Sequence, residues 1–194
     1  AFKAKLVQLT KEAEVVTFNG SIPKGISAEN YKELIEETMA AGVPCIVDAS
    51  GALLTSCIDA LPTMIKPNTD EIGQLLGREV TTEDEVIKAA QELHKRGIKI
   101  VVVSLGAKGA LLVSDEGTFR ANPPKIEAIN PVGAGDTLVG SFAVALAQQK
   151  PTSECLTFAL SCATASCLSA GTGRFDQDVA TKIHKQVTIK KIAE

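Results

Sequence analysis

The chain is poor in histidine. Its 194 residues hold only His94 and His184, which leaves a histidine-built metal site or a Ser/His hydrolase little to work with. Cysteine is sparse and unpaired in pattern. Cys45, Cys57, Cys155, Cys162 and Cys167 are odd in number and form no Cys-x-x-Cys pair. Thiols buried in a reducing cytoplasm are the expectation. No apolar run approaches the roughly 18 residues of a membrane span. A basic surface is also missing. The 20 Lys and Arg are scattered among 23 Asp and Glu, for a net charge of −3, which argues against nucleic acid or an anionic membrane as the main partner. Ala1-Phe2-Lys3-Ala4-Lys5 is not a signal peptide, and the missing initiator Met fits a chain cut from something longer. There is no repeat and no low-complexity segment.

What is present suits a buried sheet. The chain is 45% hydrophobic, and short strand-like runs alternate with helical ones. That pattern predicts an α/β fold of three layers (αβα) around a mostly parallel sheet, one domain over residues 1–194. Strands are expected at 15–18, 44–48, 64–67 and 98–103, with an antiparallel pair at 110–113 and 118–121. Helices are expected after Ser27, over 52–60, after Asn68, over 83–96, from a start within 133–136 to about 149, over 153–170 and over 176–186. Residues 188–194 are expected to be loosely held.

The chemistry concentrates at Asn130-Pro131-Val132-Gly133-Ala134-Gly135-Asp136-Thr137. Pro131 disfavours helix before it, and the apolar pattern of Leu138, Val139, Phe142, Ala143 and Leu146 places a helix after it. Three small residues at that helix start bring backbone N–H groups and dipole toward any anion, with the carboxylate of Asp136 at the lip. An ordinary acidic first turn after a glycine loop is the plainer alternative.

Other loops follow strands. Asn19-Gly20-Ser21-Ile22-Pro23-Lys24-Gly25 reads as a βα turn or as a ligand loop at a strand's C-terminal end. Asp48 and Ser50 read as turn and cap. Lys66-Pro67-Asn68-Thr69-Asp70-Glu71 carries a capping box, Asn68 with Glu71, and Thr82 with Glu85 forms another. Ser104-Leu105-Gly106-Ala107-Lys108-Gly109 is either a tight turn or a close backbone approach to a ligand; it is not a Walker loop. The small residues Ala159, Ser161, Ala163, Ala165, Ser166 and Ala170 suit close helix packing.

Four of these stretches together resemble the ribokinase-like (PfkB) carbohydrate kinases, in family order from residue 19 to 173. Asn130-Pro131-Val132 resembles the branch that acts on phosphorylated hexoses, the tagatose-6-phosphate kinases and 1-phosphofructokinases. The resemblance implies ATP and Mg²⁺, with a phosphorylated ketohexose as acceptor. Asp136 would be the base, with Gly133, Ala134 and Gly135 stabilising charge on the transferred group. It assigns Lys66, Asn68, Ser104, Leu105, Gly106, Ala107, Lys108, Gly109, Leu160 and Thr164 to ATP, and Ser21 and Lys24, with Asp136, to the sugar phosphate. Asn68 and Glu71 would meet Mg²⁺ through water. A monovalent cation such as K⁺ would match Asn130, Val132, Ser166, Ser169, Gly171 and Gly173. Family members carry a further segment ahead of these motifs, including a small β-sheet lid, so this chain alone is expected to be inactive as a kinase. A non-catalytic nucleotide-binding module stays open as an alternative, and so does homo-oligomerisation.

Overall fold

The computed structural model describes residues 2–193. It divides into two compact units, one up to Val103 and one from Ser104 on.

The first unit is built of α1 (Phe2–Thr10), β1 (Val16–Asn19), α2 (Ala28–Ala40), β2 (Cys45–Asp48), α3 (Gly51–Ile58), β3 (Met64–Ile65), α4 (Thr69–Leu76), α5 (Glu83–Lys95) and β4 (Ile100–Ser104). Its strands pair in parallel in that order, with Ile46 beside Met64 and Met64 beside Ile100. Cys45, Ile46, Val47, Met64, Ile65, Val101, Val102 and Val103 are fully buried. Such unbroken apolar strands belong to a parallel sheet covered on both faces. β3 is two residues rather than the four expected, because Pro67 has no N–H to give the ladder. The capping boxes at Asn68/Glu71 and Thr82/Glu85 are both formed, and Ser27 caps α2 with Asn30. α5 buries Val86, Ala89, Ala90 and Leu93, a stripe at helical spacing. His94, near the end of α5, is half-buried, with Nδ1 2.8 Å from the Ile98 carbonyl.

The second unit holds β5 (Ala110–Ser114), β6 (Gly117–Asn122), α6 (Ala134–Ala147), α7 (Thr152–Ser166), α8 (Gln177–His184) and β7 (Thr188–Ala193). β5, β6 and β7 form an antiparallel meander. Thr188–Ala193 of the terminal stretch expected to be loose is therefore a strand, paired from Asn122↔Thr188 to Thr118↔Ala193 across a bulge; Glu194 lies outside the described residues. Its Lys190 and Lys191 hide it from a hydropathy reading; β6 supplies the order. α7 packs against α6 and α8. Its small residues Ala159, Ser161, Ala163, Ala165 and Ser166 are buried, as close packing requires; Ala170, expected with them, lies exposed in the turn after the helix. α7 ends at Ser166, earlier than expected, and a turn follows.

One cap comes from outside its own helix. Pro151 precedes α7 without a side-chain cap. The Glu116 carboxylate on the β5–β6 turn accepts from the Thr152 N–H at 2.9 and 3.0 Å, and Ser114 Oγ meets Thr152 Oγ1 at 2.9 Å. An acid at a helix start satisfies orphan N–H groups and the dipole together.

All five cysteines are free thiols, and only Cys167 is less than fully buried. Burial pushes Cys45 up to about 12 and Cys57 and Cys155 to about 11. Among the described residues no helix is long and apolar enough to cross a membrane.

Candidate active site

In the first unit the candidate residues sit at the C-terminal ends of parallel strands, where open α/β sheets bind ligands. Ser21 and Lys24 are exposed in the β1–α2 loop, which is tied back by the Gly20 N–H donating to the Asp48 carbonyl at 2.8 Å. Lys66 leaves β3 as a cation only 8% exposed. Its Nζ lies 3.1 Å from Asp48 Oδ1 at the end of neighbouring β2. A buried ammonium needs such a partner. Asp48, read from sequence as a turn residue, is thus the counter-ion of Lys66. The signal was available: an apolar strand delivering a lysine, beside a strand delivering an acid at the same level.

Asn68 and Glu71 face each other in the α4 cap. Asn68 Oδ1 accepts from the Glu71 N–H at 2.9 Å, and Glu71 Oε2 accepts from the Asn68 N–H at 2.8 Å. Each side chain has already spent one oxygen on the backbone. Among the described residues no cluster of three or more His, Cys, Asp or Glu could cage a metal. This donor set fits Mg²⁺ that keeps its waters and arrives with phosphates, with one Glu71 oxygen as an outer contact.

In the second unit, α6 begins at Gly133 in the left-handed region (φ 83°) with no side-chain cap. A Cβ there would stand 2.8 Å from Thr172 Cγ2 and 2.9 Å from the Gly173 nitrogen, so only glycine fits. The Ala134 N–H turns to the Pro131 carbonyl at 3.2 Å. Gly135 and Asp136 are the second and third residues of the helix, whose N–H groups have no intrahelical acceptor. Both are exposed. Thr137 is buried behind them, and its Oγ1 donates to the Gly133 carbonyl at 2.8 Å. The cradle of sequence reasoning is therefore narrower by one amide.

The loop ahead of α6 is fastened to the turn after α7. The N–H groups of Ile129 and Asn130 donate to the Cys167 carbonyl at 2.8 and 3.1 Å. Asn130 Nδ2 donates to the Ala170 carbonyl at 3.1 Å, and its Oδ1 accepts from the Val132 N–H at 3.0 Å. Ser166 Oγ donates to the Ala163 carbonyl, and Ser169 Oγ accepts from the Gly171 N–H. The six positions matched to a monovalent cation thus lie on two segments that touch, with the Asn130, Ser166 and Ser169 side chains all spent on the backbone. Carbonyl oxygens are the groups of the right hardness for such an ion.

Ser104 to Gly109 forms a single 3₁₀ turn over Gly106–Lys108. It is closed by the Leu105 N–H to the Gly109 carbonyl at 2.8 Å. Gly109 has φ 99°, and a Cβ on it would overlap the Ala121 carbonyl. Leu160 and Thr164 are buried at 5% and 6% exposure. Thr164 Oγ1 donates back to the Leu160 carbonyl at 2.7 Å, so the pair offers an apolar wall and no spare hydroxyl proton.

Residues 1–178 match the pfkB family carbohydrate kinases. The chain belongs to that family. It is 33% identical over 194 residues to tagatose-6-phosphate kinase of Staphylococcus epidermidis, covering 98% of this chain and 63% of that protein. It is 37% identical over 173 residues to ATP-dependent 6-phosphofructokinase isozyme 2 of Escherichia coli, covering 88% and 56%. The crystal structure of Escherichia coli phosphofructokinase-2 in complex with potassium superimposes with a TM-score of 0.88 at 35% identity, over 95% of this chain and 61% of that one. The chain thus spans under two thirds of the length of these relatives. The α/β class with mostly parallel strands, read from the alternation of elements, is the class of this pfkB protein.

Proposed function

We propose that this pfkB chain carries the ATP-binding part and the catalytic base of a sugar-phosphate kinase. The acceptor would be a phosphorylated ketohexose, tagatose 6-phosphate first, giving tagatose 1,6-bisphosphate and ADP. The observation that supports this best is the start of α6: a helix N-terminus without a side-chain cap, opened by a glycine that nothing larger can replace, with the Asp136 carboxylate exposed on its third residue.

In this reading Asp136 takes the proton of the acceptor hydroxyl. That oxygen bonds to the γ-phosphorus, the bond to the bridging oxygen breaks, and its electron pair leaves with ADP. The Gly135 and Asp136 N–H groups and the α6 dipole hold the charge that develops on the transferred group. Ser104 to Gly109 lies along the nucleotide, with Leu160 and Thr164 against the base. Lys66, paired with Asp48, serves the phosphates, and Ser21 and Lys24 serve the sugar phosphate. Mg²⁺ held through water near Asn68 and Glu71 would neutralise phosphate charge. A potassium ion would sit on the backbone of the Asn130 and Gly171 segments. Fructose 6-phosphate is the second acceptor, favoured by the higher identity to the 6-phosphofructokinase isozyme.

The test is an acceptor screen with tagatose 6-phosphate, fructose 6-phosphate and fructose 1-phosphate, run on any catalytically competent form of the protein and its Asp136→Asn variant. The variant should lose about 10²–10⁴-fold in kcat while its ATP affinity stays within about threefold. Equal turnover by the variant would favour a nucleotide-binding module without chemistry and overturn the proposal.

A further inference from the structure

The loop from Ser104 to Gly109 has few means of its own to stay in place. It is one 3₁₀ turn, and two of its residues are glycine. Its support comes from β6. Arg120 Nη2 donates to the Lys108 carbonyl at 2.9 Å. Arg120 Nη1 donates to the Ala121 carbonyl at 2.6 Å and to the Ala110 carbonyl at 3.4 Å. One guanidinium therefore grips the backbone on both sides of Gly109 and ties it to the strand that Gly109 lies against. Directly across the β6–β7 ladder stands Lys190, a like charge. The grip needs a planar fork with several fixed donors, which lysine does not have.

We infer that Arg120 is a positioning residue for nucleotide binding: it fixes the backbone of the Ser104–Gly109 loop in the conformation that receives ATP. The inference rests on reading that loop as part of the ATP site. Arg120 touches no substrate in this account; it acts through the Lys108 and Ala110 carbonyls. Without it the loop retains its internal hydrogen bonds but gains freedom relative to β6, and the ordering must then be done when ATP binds. That weakens affinity without altering the chemical step.

The experiment uses Arg120→Lys and Arg120→Gln, with three readouts: ATP·Mg²⁺ affinity by calorimetry, thermal midpoint, and hydrogen exchange of the amides from Leu105 to Ala110. The same amides are first followed by NMR in the unaltered protein during ATP titration. Both variants should bind ATP on the order of tenfold more weakly, with faster exchange confined to the loop and a midpoint within a few degrees. In a turnover assay the ATP KM should rise while kcat holds. Lysine should fail to rescue, which a simple charge requirement would not predict. Unchanged ATP affinity in both variants overturns the inference, whether or not loop exchange quickens. If ATP leaves the Leu105 to Ala110 resonances of the unaltered protein unshifted, the nucleotide-loop reading itself fails, and this inference goes with it. Shifted resonances with unchanged variant affinity would discard the Arg120 role alone.

Discussion

Helices α4 and α6 begin in opposite ways. α4 starts from Asn68, whose side chain and that of Glu71 satisfy each other's backbone. α6 starts from Gly133, which has no side chain to offer, and its first turn carries Asp136 with nothing capping from the front. The first arrangement stabilises its helix without any ligand. The second leaves amide groups whose partner must come from elsewhere. Helix α7 marks the middle case, with Glu116 brought from a hairpin turn to do the capping. The difference teaches which residues are structural first. Asn68 and Glu71 would earn their place in a protein that bound nothing; the Gly133 turn would not.

Substitutions can break this contrast or sharpen it. Gly133→Ala should have the largest effect. It forces a residue with a Cβ to φ 83° and drives that carbon onto Thr172 and Gly173. The backbone strain alone costs about 1–3 kcal/mol. Stability measured by denaturant should fall by that order, and ATP affinity should fall at least tenfold, since relief means moving the cradle. A Gly133→Ala protein with normal ATP affinity would mean that the uncapped turn is not a phosphate site.

Glu71→Gln separates cap from metal. Glutamine preserves the capping box, so stability should change by less than about 0.5 kcal/mol. The carboxylate is lost, however, and the gain in ATP affinity on adding Mg²⁺ should shrink. Titrations with and without Mg²⁺ check this; an undiminished Mg²⁺ effect would leave Glu71 as a cap and nothing more.

The smallest effect is at the neighbouring cap, Glu85, which has no assigned ligand. Backbone hydrogen bonds from Thr81 and Thr82, then the Thr81 hydroxyl, hold its carboxyl down from an ordinary 4.5 to about 2. A lowered folded value means the stabilisation is present above the unfolded value and is lost as pH falls through the folded one. The window is therefore about pH 4.5 down to 2. Thermal midpoints of Glu85→Gln should lie slightly below those of the unaltered protein at neutral pH and converge with them by pH 2. A gap that stayed constant across that range would refute the assignment.

The contrast between α4 and α6 was partly legible in the sequence, because capping is local. Asn68 to Glu71 and Thr82 to Glu85 announce themselves at a spacing of three, and the α5 stripe announces itself at helical period. Gly133 to Asp136 was legible as a bare helix start. Groups that meet through the fold were not. Asp48 finds Lys66 only because β2 and β3 run side by side, and Glu116 reaches Thr152 across 36 residues. Arg120 holds Lys108 from a strand whose own sequence reads as ordinary. β7 has too many lysines to read as a strand until β6 lies beside it. α1 went unread because its apolar residues form no buried stripe: Phe2 and Leu9 stay exposed, and Thr10 is its buried residue.

The most direct measurement is calorimetric titration of the folded chain with ATP, with and without Mg²⁺, while the backbone amides of Gly133 to Asp136 are followed by NMR. Saturable, Mg²⁺-sensitive binding that shifts the Gly135 and Asp136 amides is the predicted result. Binding that leaves those two amides untouched would contradict the claim that the uncapped start of α6 receives the phosphates.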